Sequence, residues 1–464
     1  MTEELTPELE AETAATQATF SPKADLDPKT QYVAPSTPAQ YPYAVLYQAE
    51  YETEWDGTAV AARLHARALA AAGLPVLLRS FSMKFTDAEG AVQDAIQGLP
   101  PAVEKEVGIL RKTSASAMLP MIKHIVIRDS AHLQNLVWPR GASGGFSAEQ
   151  LIEAYGRVYA QTILFSVWER DSIDEKIAQQ LQQIGECWVP CEQNAEMLRR
   201  HGVERVRVMP HPFDPADPIC KLVGRNVRTD DWKLFYSIGR WEPRKGFDKL
   251  IAAFLTAFKP GDHAMLTLKI TGGDWPGYAT PQQGVQITLG QDYAKNNGWT
   301  AETFAQHVKI FNARKPRSEI IALHFYNNIY VSASHGEAWG LPPFEAKLAG
   351  NAMVHVPYGG TCEFADPKLD VTVPIHMAPV DASYGWETTA QWADYEIADL
   401  ALALQRVKPP TEYAVHPGLE RFSLKHVGLE MREAVLALCD RIHPKAARFY
   451  RADPRSQEET VSPP

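Results

Sequence analysis

The sequence predicts an α/β protein made of two doubly wound parallel-sheet domains that face each other across a cleft. Three observations predict it. The chain has 464 residues, about three times the usual size of one domain. Short apolar runs of strand character alternate with apolar residues at helical spacing along most of its length. The alternation then restarts after a proline-rich joint carrying Pro210, Pro212, Pro215 and Pro218. Hydrophobic residues at 45% against charged residues at 22% supply enough apolar material for two cores and exclude a chain disordered throughout.

Residues 1–38 are rich in Thr, Ala, Pro and Glu without apolar periodicity and are expected to form a loose tail, as are residues 453–464. The first strand is expected at residues 43–47, followed by a loop through Asp56, Gly57 and Thr58 and an Ala-rich helix reaching Ala72. Gly73 stops that helix and Pro75 begins a second strand, which completes a β-α-β unit. Further strands are expected at residues 124–127, 162–167 and 188–189, with helices at 148–159 behind a Ser147 cap and at 194–200. Beyond the joint come a strand at 234–238, a helix marked by Phe247, Leu250, Ile251, Phe254, Leu255 and Phe258, and strands at 266–270, 308–311, 329–332 and 352–356. Leu424, Val427, Met431, Ala434, Val435 and Leu438 form one apolar helical face behind a Ser423 cap, and that helix is expected to close the second half. The domain reading is thus 1–38 tail, 39–214 first domain, 215–440 second domain and 441–464 a crossing segment with a loose end.

A formal charge of -10 disfavours a broad polyanion-binding surface. Five cysteines, an odd count in so long a chain, form no disulfide framework and suit a reducing compartment, read as the cytoplasm. Cys187 and Cys191 flank Trp188, Val189 and Pro190 with no further Cys or His pair nearby to complete a tetrahedral site, so they read as buried thiols. The acidic start at Glu3 and Glu4 lacks the basic-then-apolar pattern of a signal peptide, and no apolar run approaches the ~20 residues that span a bilayer.

Two segments carry chemistry. In residues 237–246, Gly239 precedes Arg240, Arg244 and Lys245, which crowd the start of a helix. That end of the macrodipole is already positive, so cations there are unfavourable unless an anion neutralises them; Asp248 supplies part and a bound phosphate would complete it. Solvated surface charge is the alternative for this segment taken alone. In residues 334–346, Gly336 and Gly340 let backbone approach a ligand, Pro342 and Pro343 suit a first helical turn, and free amides near Gly340 and Leu341 would point into the cleft. Glu345 is expected in the first helical turn, where the dipole alone explains a carboxylate, whereas Glu337 stands on the preceding loop, outside the reach of that explanation.

Arg240 and Lys245 (Arg, four residues, Lys, then Gly) with Glu337 and Glu345 (Glu, seven residues, Glu, enclosing Gly-Leu-Pro) resemble the paired signature of retaining GT-B-fold glycosyltransferases of family four, the glycogen-synthase-like glycosyl transferases group 1. The resemblance covers residues 41–445 and implies two Rossmann-like domains facing across a cleft. Where the family has Pro-Asn-Gly-Val-Asp entering the hinge, this chain has Pro210-His211-Pro212-Phe213-Asp214. The resemblance further implies that Arg240 and Lys245 bind the diphosphate of a nucleotide-sugar donor, that Glu337 accepts hydrogen bonds from donor-sugar hydroxyls and Glu345 from the ribose diol, and that Gly239, Gly336, Gly340 and Leu341 lie against the donor. Gly57 matches the glycine loop after the first strand, in Asp56-Gly57 rather than a double glycine. His132 is the candidate for the family's first-domain histidine facing the donor sugar, with His124 structural; Trp168 and Glu169 are candidates for the acceptor side; and Glu363 resembles a residue that braces the donor loop.

The activity so implied is metal-independent transfer of a sugar, with retention, from a nucleoside-diphosphate sugar to a hydroxyl acceptor. No resident cofactor and no metal are expected, since Asp25-Leu26-Asp27, the one Asp-x-Asp triplet, lies in the tail. Retention implies attack on the face the phosphate leaves, the departing phosphate helping to take the acceptor proton. The acceptor is read as a saccharide, lipid-linked or small molecule. Arg441, Lys445, Arg448 and Arg451 interleaved with Phe449 and Tyr450 raise a hydroxylated base in DNA as an alternative acceptor, against a terminal helix lying over the other domain. A nucleotide-sugar epimerase of similar fold and an inactive sugar-nucleotide-binding scaffold are the rival classes.

Overall fold

The computed structural model describes residues 45–49, 57–74, 76–80, 120–127, 129–130, 133, 159–225, 231–385 and 389–442. The first lobe runs β1 (Val45–Ala49), α1 (Gly57–Ala71), β2 (Val76–Ser80), β3 (Met121–His124), β4 (Thr162–Phe165), α2 (Glu175–Leu181), β5 (Glu186–Val189), α3 (Glu192–Arg200) and β6 (Val206–Val208). Its strands form a parallel sheet in the order β2-β1-β3-β4-β5-β6. The second lobe runs β7 (Lys233–Arg240), α4 (Phe247–Ala257), β8 (Ala264–Thr271), α5 (Pro281–Leu289), α6 (Asp292–Asn296), α7 (Ala301–His307), β9 (Val308–Asn312), α8 (Arg317–Tyr326), β10 (Ile329–Ser332), α9 (Leu341–Leu348), β11 (Ala352–His355), α10 (Thr361–Phe364) and β12 (Val371–Thr372). Its parallel sheet has the order β12-β11-β10-β7-β8-β9. An antiparallel ribbon of β13 (His376–Pro379) and β14 (Gln391–Asp394) follows, then α11 (Ile397–Arg406) and α12 (Leu424–Ile442).

Each sheet reverses its winding once, between β1 and β3 and between β7 and β10. Loops leaving the carboxyl ends of such a strand pair diverge to opposite faces and leave a crevice, the usual place for a ligand in this architecture. Burial follows the strand period: Ala264, Leu266, Leu268 and Ile270 of β8 point into a core shared with Leu250, Ile251 and Phe254 of α4. Among the described residues no helix is long and apolar enough to cross a membrane.

The structure corrects three expectations. The strand expected at 124–127 is Met121–His124, with His124 as its last residue, because it pairs with Ala49 and Phe165, themselves the last residues of β1 and β4. The short β6 and the β13–β14 ribbon were not expected: Arg207 of β6 and most of β13 are exposed, so neither carries an apolar signal. The helix expected to close the second half instead returns to the first. Val427, Met431, Ala434, Val435 and Leu438 of α12 pack with Ala62, Ala66 and Leu69 of α1 and with Tyr47 and Phe165 of the sheet. The helix expected at 148–159 lies outside the described residues apart from Tyr159.

The two crossings between lobes lie side by side. Phe213 donates to Phe422 O at 2.8 Å and its carbonyl accepts from Leu424 N at 2.9 Å. Asp214 pairs with Arg67 of α1, and buried His65 contacts Ala61 O at 2.8 Å and Pro210 O at 3.1 Å. His211, standing where the resemblance has Asn-Gly, is buried with its ring 5.1 Å from that of His65 and 5.9 Å from that of Trp339 in the second lobe. Arg441 at the end of α12 donates to Gly185 O and Glu186 Oε2, both at 3.2 Å, in the first lobe. Lys445, Arg448, Phe449, Tyr450 and Arg451 lie outside the described residues.

The α1–α12 crossing is close enough that a Cβ on Gly428 would run into Ala68 O. Gly to Ala normally stabilises a helix interior. Here Gly428→Ala is expected to destabilise the protein by about 1–3 kcal/mol in urea denaturation through overpacking; a stabilised variant would contradict this packing.

Candidate functional site

The site follows from strand adjacency. Because β7 and β10 are neighbours, the loops beyond their carboxyl ends meet. After Arg240 the chain makes a single 3-10 turn, Pro243–Lys245, and Gly246 turns it into α4 at φ +60°. A Cβ on Gly246 would lie 2.5 Å from both Ala333 O and Tyr395 Oη, so this position tolerates only glycine. Across from it, Arg244 O accepts from His335 N at 2.7 Å and Ser334 Oγ at 3.2 Å, which locks the two loops together. Gly340, at φ +87°, then starts α9.

Four charged side chains come together there. Lys245 Nζ donates to Glu337 Oε1. Arg244 is almost fully enclosed: Nη2 donates to Glu242 Oε1 at 2.8 Å, Nη1 donates to Gly336 O at 2.8 Å, and Nη1 stands 3.5 Å from Glu337 Oε2. Burial alone would lower the Arg244 pKa, but Glu169, Glu337 and Glu242 outweigh it and raise it, holding the cation. Burial likewise pushes the Glu337 carboxyl up, and Lys245 and Arg244 more than reverse this, so Glu337 titrates below the usual Glu value. The arrangement is an ionised acceptor seated on cations, suited to hydroxyl donors rather than to proton delivery.

Arg240 is not drawn into that cluster. Its side chain is 69% exposed, with Nε 4.0 Å from Glu242 Oε2 and the guanidinium 5.9 Å over the Trp275 ring. Trp275 is itself pinned through Nε1 to Ser383 Oγ at 2.7 Å and packed on Tyr384. Gly239 makes room for this corner, since a Cβ there would press on Phe247 at 3.3 Å and on the Lys245 stem at 3.5 Å.

Glu345 is one turn further into its helix than expected. The left-handed Gly340 starts α9 at Leu341, so the first turn contains no acidic residue and the helix dipole does not account for the Glu345 carboxylate. Its carboxylate is paired with Arg317 at the start of α8 and faces buried His324 Nε2 at 3.4 Å. Burial raises its pKa, and Arg317 and His324 outweigh that to lower it. Arg317 also donates to Asp217 Oδ1 at 3.1 Å. Arg317 and His324 were missed in the sequence, although the signal that singled out Lys245, a cation crowding a helix start, is equally present in Lys315-Pro316-Arg317.

Three of the expected positions mark where the lobes touch. Gly57, the first residue of α1, lies against Leu341, whose Cδ1 would be 3.6 Å from a Cβ there. A Cβ on Gly336 would collide with Glu169 O of the first lobe. Glu169 Oε1 stands 3.6 Å from Arg244 Nη2. Trp168 does not line the acceptor side: it is 1% exposed, packed with Ile173 and Leu198 in the first-lobe core, its backbone clamped by Asn194 at 3.0 and 2.8 Å. The alternation along the segment after β4 turns Trp168 inward and leaves Glu169 at the lobe boundary. Glu363 reaches across the lobes and accepts from Glu192 N at 2.8 Å, while the backbone of its turn, Gly360 N, donates to Glu337 O at 2.7 Å and braces the Glu337 loop. His124 is buried and bonded to Tyr47 Oη at 2.7 Å. His132, Asp56, Asp25 and Asp27 lie outside the described residues. Cys187 and Cys191 are buried free thiols, each pushed up to about 12 by burial. Among the described residues no three His, Cys, Asp or Glu side chains are grouped as metal ligands.

Residues 223–370, which contain both the β7 and the β10 loops, match the family model described as Glycosyl transferases group 1. No curated protein matches the chain. Among solved structures it is similar to HepE from Anabaena in complex with UDP-glucose, at 13% identity and a TM-score of 0.47 over 85% of this chain and 99% of that one. It is also similar to an E. coli structure described as trehalose-6-phosphate bound with UDP-2-fluoro glucose, at 11% identity and a TM-score of 0.49 over 91% of this chain and 100% of that one. Sucrose-phosphate synthase from Thermosynechococcus elongatus is a third, at 16% identity and a TM-score of 0.43 over 88% and 98%. These likenesses concern the path of the chain and assign no residue or substrate. The second lobe of this chain carries a Glycosyl transferases group 1 domain, and the protein is by that domain a glycosyltransferase.

Proposed function

We propose that this glycosyltransferase moves a sugar from a nucleoside-diphosphate sugar to a hydroxyl acceptor, with retention and without a metal. The observation that carries the reading is the Lys245–Glu337 contact at the crevice between β7 and β10, with exposed Arg240 at the end of the same strand. Lys245 and Arg240 are the cations for the diphosphate. As the glycosidic bond breaks, charge grows on the leaving phosphate, and cations already in place stabilise that state more than the ground state. The backbone amides of Gly340 and Leu341 at the start of α9 assist them, since Pro342 and Pro343 carry no N–H and Phe344 N already donates to Gly340 O.

Glu337 accepts hydrogen bonds from the donor-sugar hydroxyls, and Glu345 from the ribose diol, exchanging part of its hold on Arg317. A carboxylate already engaged by Lys245 and Arg244 is a poor nucleophile, which supports same-face attack with the departing phosphate taking the acceptor proton. The acceptor is a saccharide, lipid-linked or small molecule. The burial of Cys187 and Cys191 as free thiols fits a reducing compartment, the cytoplasm.

A screen of UDP, GDP and ADP sugars for hydrolysis, followed by addition of acceptors, is expected to show release of one nucleoside diphosphate, stimulated by a hydroxyl compound. Isomerised donor in the absence of any acceptor would instead identify an epimerase, and tight nucleotide binding with no turnover a scaffold. Lys245→Ala is expected to lower kcat/KM roughly a hundredfold or more with little change in the unfolding midpoint; unaltered turnover contradicts the reading.

The pH dependence of stability tests the state of Glu337. Its folded pKa lies below the unfolded one, so its contribution is complete above the unfolded value of about 4.3 and is lost as pH falls through the folded value. In urea denaturation the advantage of the wild-type protein over Glu337→Gln is expected to be constant from about pH 8 to about pH 6 and to shrink below about pH 4. A gap independent of pH shows that the carboxylate is not held by its cations.

A further inference from the structure

Arg244 belongs to the second lobe but divides its charge between the two. Its guanidinium stands almost evenly between Glu337 Oε2, at 3.5 Å from Nη1, and Glu169 Oε1 of the first lobe, at 3.6 Å from Nη2. Tyr384 Oη accepts from the Arg244 backbone amide at 3.1 Å, which fixes the base of the side chain, while at its tip Nη2 donates to Glu242 Oε1 and Nη1 to Gly336 O, both at 2.8 Å and both within the second lobe. A guanidinium is a rigid planar fork, and a pull on one nitrogen moves the other.

Glu169 is part of a short first-lobe segment lying on the second lobe. Its carbonyl fills the space that a Cβ on Gly336 would need. Two residues on, Asp171 N donates to Gln391 O at 2.9 Å and Gln391 N donates to Asp171 Oδ1 at 2.7 Å. Gln193 Nε2 donating to Tyr358 Oη at 2.8 Å extends the same contact line. Glu169 therefore reaches Arg244 only while the lobes are together.

We propose that Glu169 is a positioning residue that makes the state of Glu337 depend on lobe closure. With the lobes together, Glu169 competes for Arg244 and draws it off Glu337, leaving a Glu337 oxygen open to sugar hydroxyls. With the lobes apart, Arg244 has only Glu242 and Glu337 to neutralise it, closes fully onto Glu337 and masks it. Transfer is thereby confined to the closed form. This rests on the reading that Glu337 faces the donor sugar.

The test uses the full chain with Glu169→Gln, which keeps the shape and removes the charge, and Gly336→Ala, which pries the same contact from the other side. Hydrogen exchange at the Asp171 and Gln391 amides reads lobe contact directly and is expected to quicken roughly fivefold or more in both variants. With the active donor found in the screen, kcat is expected to fall roughly tenfold or more in Glu169→Gln while donor KM stays within about threefold, and Glu169→Asp is expected to recover part of the loss. Binding of UDP, GDP or ADP to Glu169→Gln, followed by calorimetry, is expected to be unaltered. Unchanged exchange at both amides overturns the proposal, as does a loss confined to acceptor KM, which would make Glu169 an acceptor contact. If none of the three nucleotides binds wild-type protein, the donor reading fails, and the exchange measurement still decides whether Glu169 holds the lobes together.

Discussion

The hydrogen-bonded adjacency of β7 and β10 is the constraint on which the site depends. These strands are separated in sequence by the whole of α4 to α8, yet they are neighbours in the sheet where its winding reverses. Parallel strands end on the same side, so the loop after Arg240 and the loop after Ser332 are forced together. Lys245 and Glu337, 92 residues apart, meet because the sheet order leaves them no other place. The left-handed Gly246 and the tight approach of Gly360 to Glu337 O are the local conditions that let this happen without displacing either loop.

Such a cluster is poor value as a stabiliser. Enclosing Arg244, Glu242 and Glu337 removes three charges from water, and an apolar replacement of similar shape is often as stable or more so. The donor site proposed above gives these charges a use that stability does not. The second lobe can carry that cost because its core is large, running from Phe235 and Trp241 through α4 to Leu400 and Leu404 of α11. The first lobe is held differently: its Ala-rich α1 invites a close partner, and α12 supplies it by returning from the far end of the chain. The two crossings, paired at Phe213 and Leu424, make one narrow bridge on which the lobes are joined while the Glu169 to Asp171 segment forms a separate contact across the cleft.

The sequence made the layered architecture legible because both sheets are parallel and buried, so that strands such as Ile329–Ser332 read as apolar runs between helices. It also brought out Lys245 and Glu337, since a cation crowding a helix start conflicts with the dipole and calls for an anion, and a carboxylate on the glycine-flanked loop before a helix is not accounted for by the first-turn dipole. What stayed hidden was relational. An apolar face on α12 shows that the helix is buried but not against which lobe. The inward turn of Trp168 depends on the strand it follows, and the pairing of Glu345 with Arg317 depends on two helices set side by side by β10. Short or exposed pieces such as β6 and β13 owe their strand form to neighbours rather than to their own residues.

The decisive measurement is a crystal structure with an intact nucleoside-diphosphate hexose bound. The proposed donor site places the diphosphate within hydrogen-bond distance of Lys245 Nζ, sugar hydroxyls on Glu337, and the ribose at Glu345. A diphosphate bound outside the β7–β10 crevice, or the same sugar nucleotide held there with Lys245 and Glu337 still facing only each other, would contradict it.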